Sequence, residues 1–159
     1  MVDQRHNEYP DGIDCLWVAS DSFGNVGAFV TAGMAPIPAI ALSVEYGDIL
    51  DVGEKVMELP SISRVAFGQN DPHLADFYEL AERGVFAFDW SDIHRADVEC
   101  LGGYEKVASP TSPLKAEELQ GFLGKCTSLL RLAGVNFANE GIVEVELLTG
   151  SVCYPKHIL

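Results

Sequence analysis

Two apolar runs near the start of the chain, Ile13 to Ala19 (IDCLWVA) and Val26 to Thr31 (VGAFVT), stand on either side of the turn-forming stretch SDSFGN. Their β-branched and aromatic residues, broken by Gly, Asn, Asp and Ser, predict a β-hairpin. A lone hairpin is marginal in water, so the remaining chain must supply further strands or helices to cover it. The exit is constrained as well. Gly33 is expected at positive φ where the chain leaves the sheet edge, Pro36 and Pro38 fix an extended segment, and Ile37 between them points inward as a plug. Gly33, Pro36 and Pro38 are therefore expected to be structural.

Beyond the prolines, Leu42, Tyr46, Ile49, Leu50, Val56 and Met57 recur at helical spacing with acids between them, which predicts an amphipathic helix over residues 42–59 stopped by Pro60. Gly47 and Gly53 inside it imply a break or a close helix-sheet contact. Asp71-Pro72 before HLADFYELAERG supplies a cap, a first-turn proline and an exit glycine, so a second helix follows, with Leu74, Phe77, Tyr78 and Ala81 on its buried side. VFAFDW (85–90) alternates as a strand does, with Phe86, Phe88 and Trp90 on one side. A strand over Tyr104 to Ala108 and a short proline-opened helix in SPTSPLKAEELQGFL are expected next, Leu119, Phe122 and Leu123 facing inward. The last third is expected to be a second hairpin, residues 129–137 and 142–148 flanking Ala138-Asn139-Glu140-Gly141. Hairpins at both ends with helices between give an α+β class: one domain over residues 13–159 behind a loose tail, 1–12. Its sheet is expected to be mainly antiparallel, with two or three helices packed on one face.

Ten Lys and Arg against 24 Asp and Glu leave a formal charge of -14 in 159 residues. Such a surface repels phosphate backbones and anionic headgroups, so neither nucleic acid nor membrane is an expected partner, whereas a basic protein is attracted. Cys15, Cys100, Cys126 and Cys153 lie far apart, without C-x-x-C or zinc-ligand spacing, and read as free thiols in a reducing cytoplasm.

Catalytic motifs are absent from the pattern. Ala32-Gly33-Met34-Ala35 has no second glycine or lysine for a phosphate cradle, and no G-x-S-x-G elbow occurs. His6 and His157 are near the ends, His73 opens a helix, and His94 lies in a loop, none beside a nucleophile. No cofactor is expected. The densest metal-ligand cluster, Asp89, Asp92, His94 and Asp97 in DWSDIHRAD, could hold a hard divalent ion but also suits a solvated loop, because Asp favours turns. Glu144 and Glu146 share one strand face, which reads as a wet face rather than a carboxylate pair. Glu45, Asp48, Asp51, Glu54 and Glu58 form an acidic stripe on the first helix and are the candidate partner-binding residues.

The aspartate-bearing turn, then VGAFVTAG, a small residue and PIP resemble small acidic bacterial proteins found beside secreted toxin genes and treated as immunity proteins. Phe88 to Trp90, the Tyr104 strand, the Pro110 and Pro113 loop and an apolar strand at Val135 to Phe137 extend the similarity over most of the chain. The resemblance implies a non-enzymatic protein that seats on a basic toxin domain; it brings no catalytic residues. Two other functions fit the residues: a small-molecule- or metal-binding protein or small enzyme with a pocket near Gly33 to Pro38 or Asp89 to Asp97, and a homodimeric structural protein pairing through an exposed strand.

Overall fold

The structure is a computed structural model that describes residues 8–67, 70–90, 103–149 and 151–155. The expected first hairpin is present as β1 (Leu16–Asp21) and β2 (Val26–Val30), paired Leu16 to Val30 through Ser20 to Val26. In sequence order there follow β3 (Ile37–Pro38), α1 (Ile49–Met57), α2 (Ala75–Glu82), β4 (Phe86–Asp89), β5 (Gly103–Ala108), α3 (Gly121–Leu129), β6 (Arg131–Leu132), β7 (Ile142–Glu144), α4 (Val145–Thr149) and β8 (Val152–Cys153). The class is α+β. One six-stranded sheet runs β6-β1-β2-β4-β5-β7, and β3 pairs with β8 apart from it.

The sheet is mixed: three of its five pairings are antiparallel, in part as the two predicted hairpins implied, and two are parallel. β1 with β6 and β2 with β4 are parallel, while β1 with β2, β4 with β5 and β5 with β7 are antiparallel. One of the two parallel pairings, β1 with β6, arises because the two halves of the expected closing hairpin do not meet; the other, β2 with β4, follows the crossover through α1 and α2. β6 joins β1 at one edge, β7 joins β5 at the other, and the chain between them crosses the sheet. Asn136 turns that crossing, its carbonyl accepting from Asn139 N and its side chain from Ala138 N, both at 3.0 Å. Val135 to Phe137 is thus irregular rather than a strand. Phe137 lies against Phe29 and Phe88, with ring centroids at 5.7 and 5.5 Å, and a Cβ on Gly27 would stand 2.8 Å from its ring. The alternation in Val143, Val145 and Leu147 does not extend the strand either: β7 ends at Glu144 and α4 begins, since a short apolar run fits either period and Glu-Leu-Leu favours helix.

The core has two sides. On one, Trp17, Phe29 and Phe88 form a ladder across β1, β2 and β4, with stacked pairs at 4.1 and 4.7 Å, and Tyr104 meets Trp17 edge-on at 5.5 Å. Trp17 Nε1 donates to Tyr104 Oη at 3.1 Å, and that hydroxyl donates to the Pro36 carbonyl at 2.7 Å, so the buried polar tips are satisfied. On the other side lie α3, α1 and α2, which touch one another through α1 and cover β1, β4 and β5. Ser20 Oγ donates to the Thr127 carbonyl of α3 at 2.8 Å, and Leu16 lies 3.7 Å from the Cβ position of Gly53 in α1. With both faces covered, β4 is buried at Ala87 as well as at Phe86 and Phe88, not only on the alternate positions that a half-buried strand would bury.

α1 is shorter than its periodicity suggests. Residues Ala39–Leu42 form a 3-10 turn, Gly47 at φ +100° breaks the chain, and Asp48 caps the helix by accepting from Leu50 N at 3.0 Å. A side chain on Gly47 would stand 2.6 Å from the Phe122 ring, so packing as well as φ excludes a continuous helix. Leu50, expected on the apolar side, is 49% exposed. Tyr46 instead plugs the sheet edge: its hydroxyl accepts from Val18 N at 2.9 Å and donates to Val18 O at 2.8 Å, groups of β1 that β6 is too short to pair. The Asp71-Pro72 signal opens a 3-10 turn, Pro72–Leu74, which Asp71 caps by accepting from His73 N at 2.9 Å and which leads into α2; Leu80 and Ala81 are the buried residues of α2, while Phe77 and Tyr78 are half-buried. The helix expected in SPTSPLKAEELQGFL is split into a 3-10 turn, Ala116–Glu118, and α3, which runs on to Leu129, where the last hairpin was expected to begin.

The tail is tighter than expected in its described part. Tyr9 is buried and donates to the Ala35 carbonyl, and Gly12 N donates to Gly33 O at 3.0 Å. Gly33 sits at φ +74°, and a Cβ there would come within 2.9 Å of the Gly12 backbone. Ile37 is fully buried between Pro36, whose carbonyl Tyr104 holds, and Pro38, which pairs with Val152.

Candidate functional site

A largely apolar groove of about 560 Å³ lies between α1, α2 and the start of β1. Its floor is Leu16, Val30, Met57, Phe77 and Leu80, and Ile13 and Leu50 stand at its mouth, 48% and 49% exposed. Gly53, with no side chain, opens the α1 wall. The ionisable residues lining it, Cys15 aside, are both acids, Asp14 and Asp76, and both are exposed.

The acidic residues singled out in the sequence fall into two groups, and none of the five lines this groove. Glu45 lies in the loop ahead of α1 and Asp48 is its cap, so neither belongs to a helix face. Asp51 and Glu54 are exposed on α1, and Glu58 is exposed at its C-cap. At 3.6 residues per turn, Glu54 is the helical neighbour of both Leu50 and Met57, which places it beside the groove mouth, with Asp51 and Glu58 farther round the outer side. Lys55, the one cation of α1, lies 3.7 Å from Glu58, and both are well exposed. The outer surface of α1 is therefore negative next to an apolar cleft.

In two other hollows the polar groups are taken up internally. Near Ser20 to Gly24, Lys115 Nζ donates to Asn25 Oδ1 at 2.7 Å, and Ser22 Oγ accepts from Gly134 N at 2.6 Å. Near Tyr78 and Phe86, Lys106 Nζ donates to the carbonyls of Phe137 and Ala138 at 2.8 and 3.1 Å, and partial burial lowers its pKa. Cys100 lies outside the described residues, and the three described thiols are not activated. Burial raises Cys15 and Cys153, and pushes Cys126 up to about 11 while its Sγ donates to Tyr46 O.

Of the sequence's metal cluster, Asp89 ends β4, half-buried; Asp92, His94 and Asp97 lie outside the described residues. Among the described residues no three His, Cys, Asp or Glu side chains group as metal ligands, and no helix is long and apolar enough to cross a membrane. Sequence reasoning missed Asp14 and Asp76, because the groove is assembled from four separate segments. The local hint was Gly53, a glycine inside a helical pattern. It also missed Asp21, a fully buried carboxylate that accepts from Phe23 N, Asn25 N, Asn25 Nδ2 and Phe137 N at 2.8 to 3.0 Å.

Comparison of the chain with family models, with curated proteins and with solved structures finds no match.

Proposed function

We propose that this is a non-enzymatic binding protein that captures a basic protein partner on the acidic surface formed by Asp51, Glu54 and Glu58 of α1 together with Asp14 and Asp76. The observation that carries the reading is the coincidence of that surface with the apolar groove in a chain of formal charge -14. Charge of one sign speeds encounter with a cationic partner, and apolar burial slows departure. The similarity to immunity proteins in the DSFGNVGAFVTAGMAPIP segment makes a toxin domain the partner class, held in a cytoplasm where thiols stay reduced.

Growth of cells expressing the product of the reading frame adjacent to this gene tests the proposal. Arrest that is relieved by this chain, and not by its Asp51→Lys/Glu54→Lys/Glu58→Lys variant, supports it. Absence of toxicity, or relief that the triple variant provides equally, overturns it.

A second reading takes its support from the same groove, whose volume also suits a small apolar ligand. Native mass spectrometry of the purified protein separates the two, because a retained compound that leaves on Gly53→Leu substitution favours the ligand.

A further inference from the structure

We propose that the groove receives one amphipathic, basic segment of the partner, helical in form, that lodges a large aliphatic or aromatic side chain between α1 and α2. Lysines or arginines one turn to either side then reach Asp14, Asp76 and Glu54. This inference rests on the protein-binding reading above and specifies what the partner must present.

The carboxylates alone do not make a lasting complex. Exposed ion pairs are each worth from nothing to about 1 kcal/mol, and residence time in protein complexes comes from a few anchors buried in pockets. Leu16, Met57 and Phe77 are partly buried against the core and form the floor that such an anchor would cover, while Ile13 and Leu50 at the mouth already expose large apolar side chains. A purely apolar occupant would leave Asp14 and Asp76 to be desolvated without a counter-charge, which is costly. Cations flanking an apolar anchor meet both demands, and a helix delivers that pattern at i, i+3 and i+4.

The absent side chain of Gly53 gives a clean means of closing the site. Gly53 has no positive φ, and the nearest atoms to its Cβ position are those of Leu16 at 3.7 Å, an ordinary contact. Gly53→Leu therefore fills the groove with a better helix former, leaving the charges in place.

The experiment measures fluorescence anisotropy of labelled peptides of about 18 residues: a Leu/Lys amphipathic helix, the same peptide with Leu→Ser, and a Leu/Glu counterpart. The Leu/Lys peptide is expected to bind at least tenfold more tightly than the Ser version, about 1.4 kcal/mol, the scale of one partly buried anchor. Gly53→Leu should reduce it to the level of the Ser version. Equal binding of the Leu/Lys peptide and its Leu→Ser version, unchanged by Gly53→Leu, overturns the groove while leaving an acidic capture surface standing. Binding of Leu/Glu as tight as Leu/Lys removes the charge selection and overturns the proposal. No binding of either lysine peptide at low salt overturns both the inference and the basic-partner reading beneath it. Loss of binding in Gly53→Leu counts only if its thermal midpoint is not lowered.

Discussion

Asp21 and the acids of α1 are the same chemistry put to opposite uses. Asp21 is fully buried, and its two carboxylate oxygens accept from four N-H groups, tying the β1-β2 turn to the chain that crosses the sheet at Phe137. Asp51 and Glu54 are exposed, and Glu58 has only a solvent-screened lysine at 3.7 Å. Net charge cannot tell these apart. Partners and burial can: a carboxylate surrounded by backbone donors holds the fold, and one left facing water beside an apolar cleft is free to meet another molecule.

The sharpest way to break this comparison is Asp21→Ala, which orphans four donors, most of them buried. Each lost partner in the interior costs about 1–3 kcal/mol, and three of the four are buried, so a loss of at least about 3 kcal/mol is expected, a large part of the stability of a domain this size. Urea unfolding measures it. A loss below about 1 kcal/mol would mean that water replaces the carboxylate and that Asp21 is no keystone. Asp21→Asn should cost less, about 2 kcal/mol, since it keeps one acceptor but turns an NH2 toward a donor.

A change of pH probes the same buried interior without mutation. Cys126 is held up to about 11 by burial, and Cys15, Cys153, Tyr46 and Tyr104 are raised for the same reason. The unfolded chain then loses these protons first as pH rises. The stability they contribute is complete below the unfolded thiol value of 9.0 and falls as pH climbs through 9 toward 11, with the tyrosines adding to the loss above 10. Urea midpoints at pH 8, 9.5 and 10.5 should decline in that order, and Cys126 should resist alkylation at pH 8 in the folded protein. A flat midpoint over that range would show the thiols reaching water.

Local chemistry made the first hairpin, the Asp71 cap and the Gly33 exit readable, because each depends on neighbours in sequence. Where the outcome depends on distant residues, the pattern misleads. Residues 129–137 and 142–148 look like two strands of a hairpin, yet the chain between them carries Phe137 across the sheet to pack on Phe29 and Phe88, and that burial sends the two halves to opposite edges. Tyr46 and Leu50 both fit a helical apolar stripe, but Tyr46 is drawn out of it by the unpaired edge of β1. The acidic stripe was legible as a list of residues and not as a surface, since Asp14 and Asp76 join it only through the fold.

Reversing the α1 acids should leave stability nearly untouched. Asp51→Lys/Glu54→Lys/Glu58→Lys is expected to change it by no more than about 0.5 kcal/mol, because exposed charges contribute little and these repel one another. Its effect belongs to association: at low ionic strength the on-rate for a cationic partner should fall about tenfold or more, with the difference closing as salt screens the field. Stopped-flow rates with the Leu/Lys peptide, at two salt concentrations, give the comparison. An unchanged rate would separate the acids from capture altogether.

The smallest effect is the most discriminating for α1 itself. Glu58 closes the helix at its C-terminus, where the macrodipole disfavours negative charge, and stands four residues after Glu54. Against these it has only the exposed contact with Lys55. Glu58→Gln should therefore stabilise the protein, by about 0.3 kcal/mol, the size of one dipole or i,i+4 term. The gain should shrink in high salt. A loss of that size in urea unfolding would show that the Lys55 pair outweighs both repulsions, and that α1 keeps Glu58 for its own stability rather than for what approaches from outside.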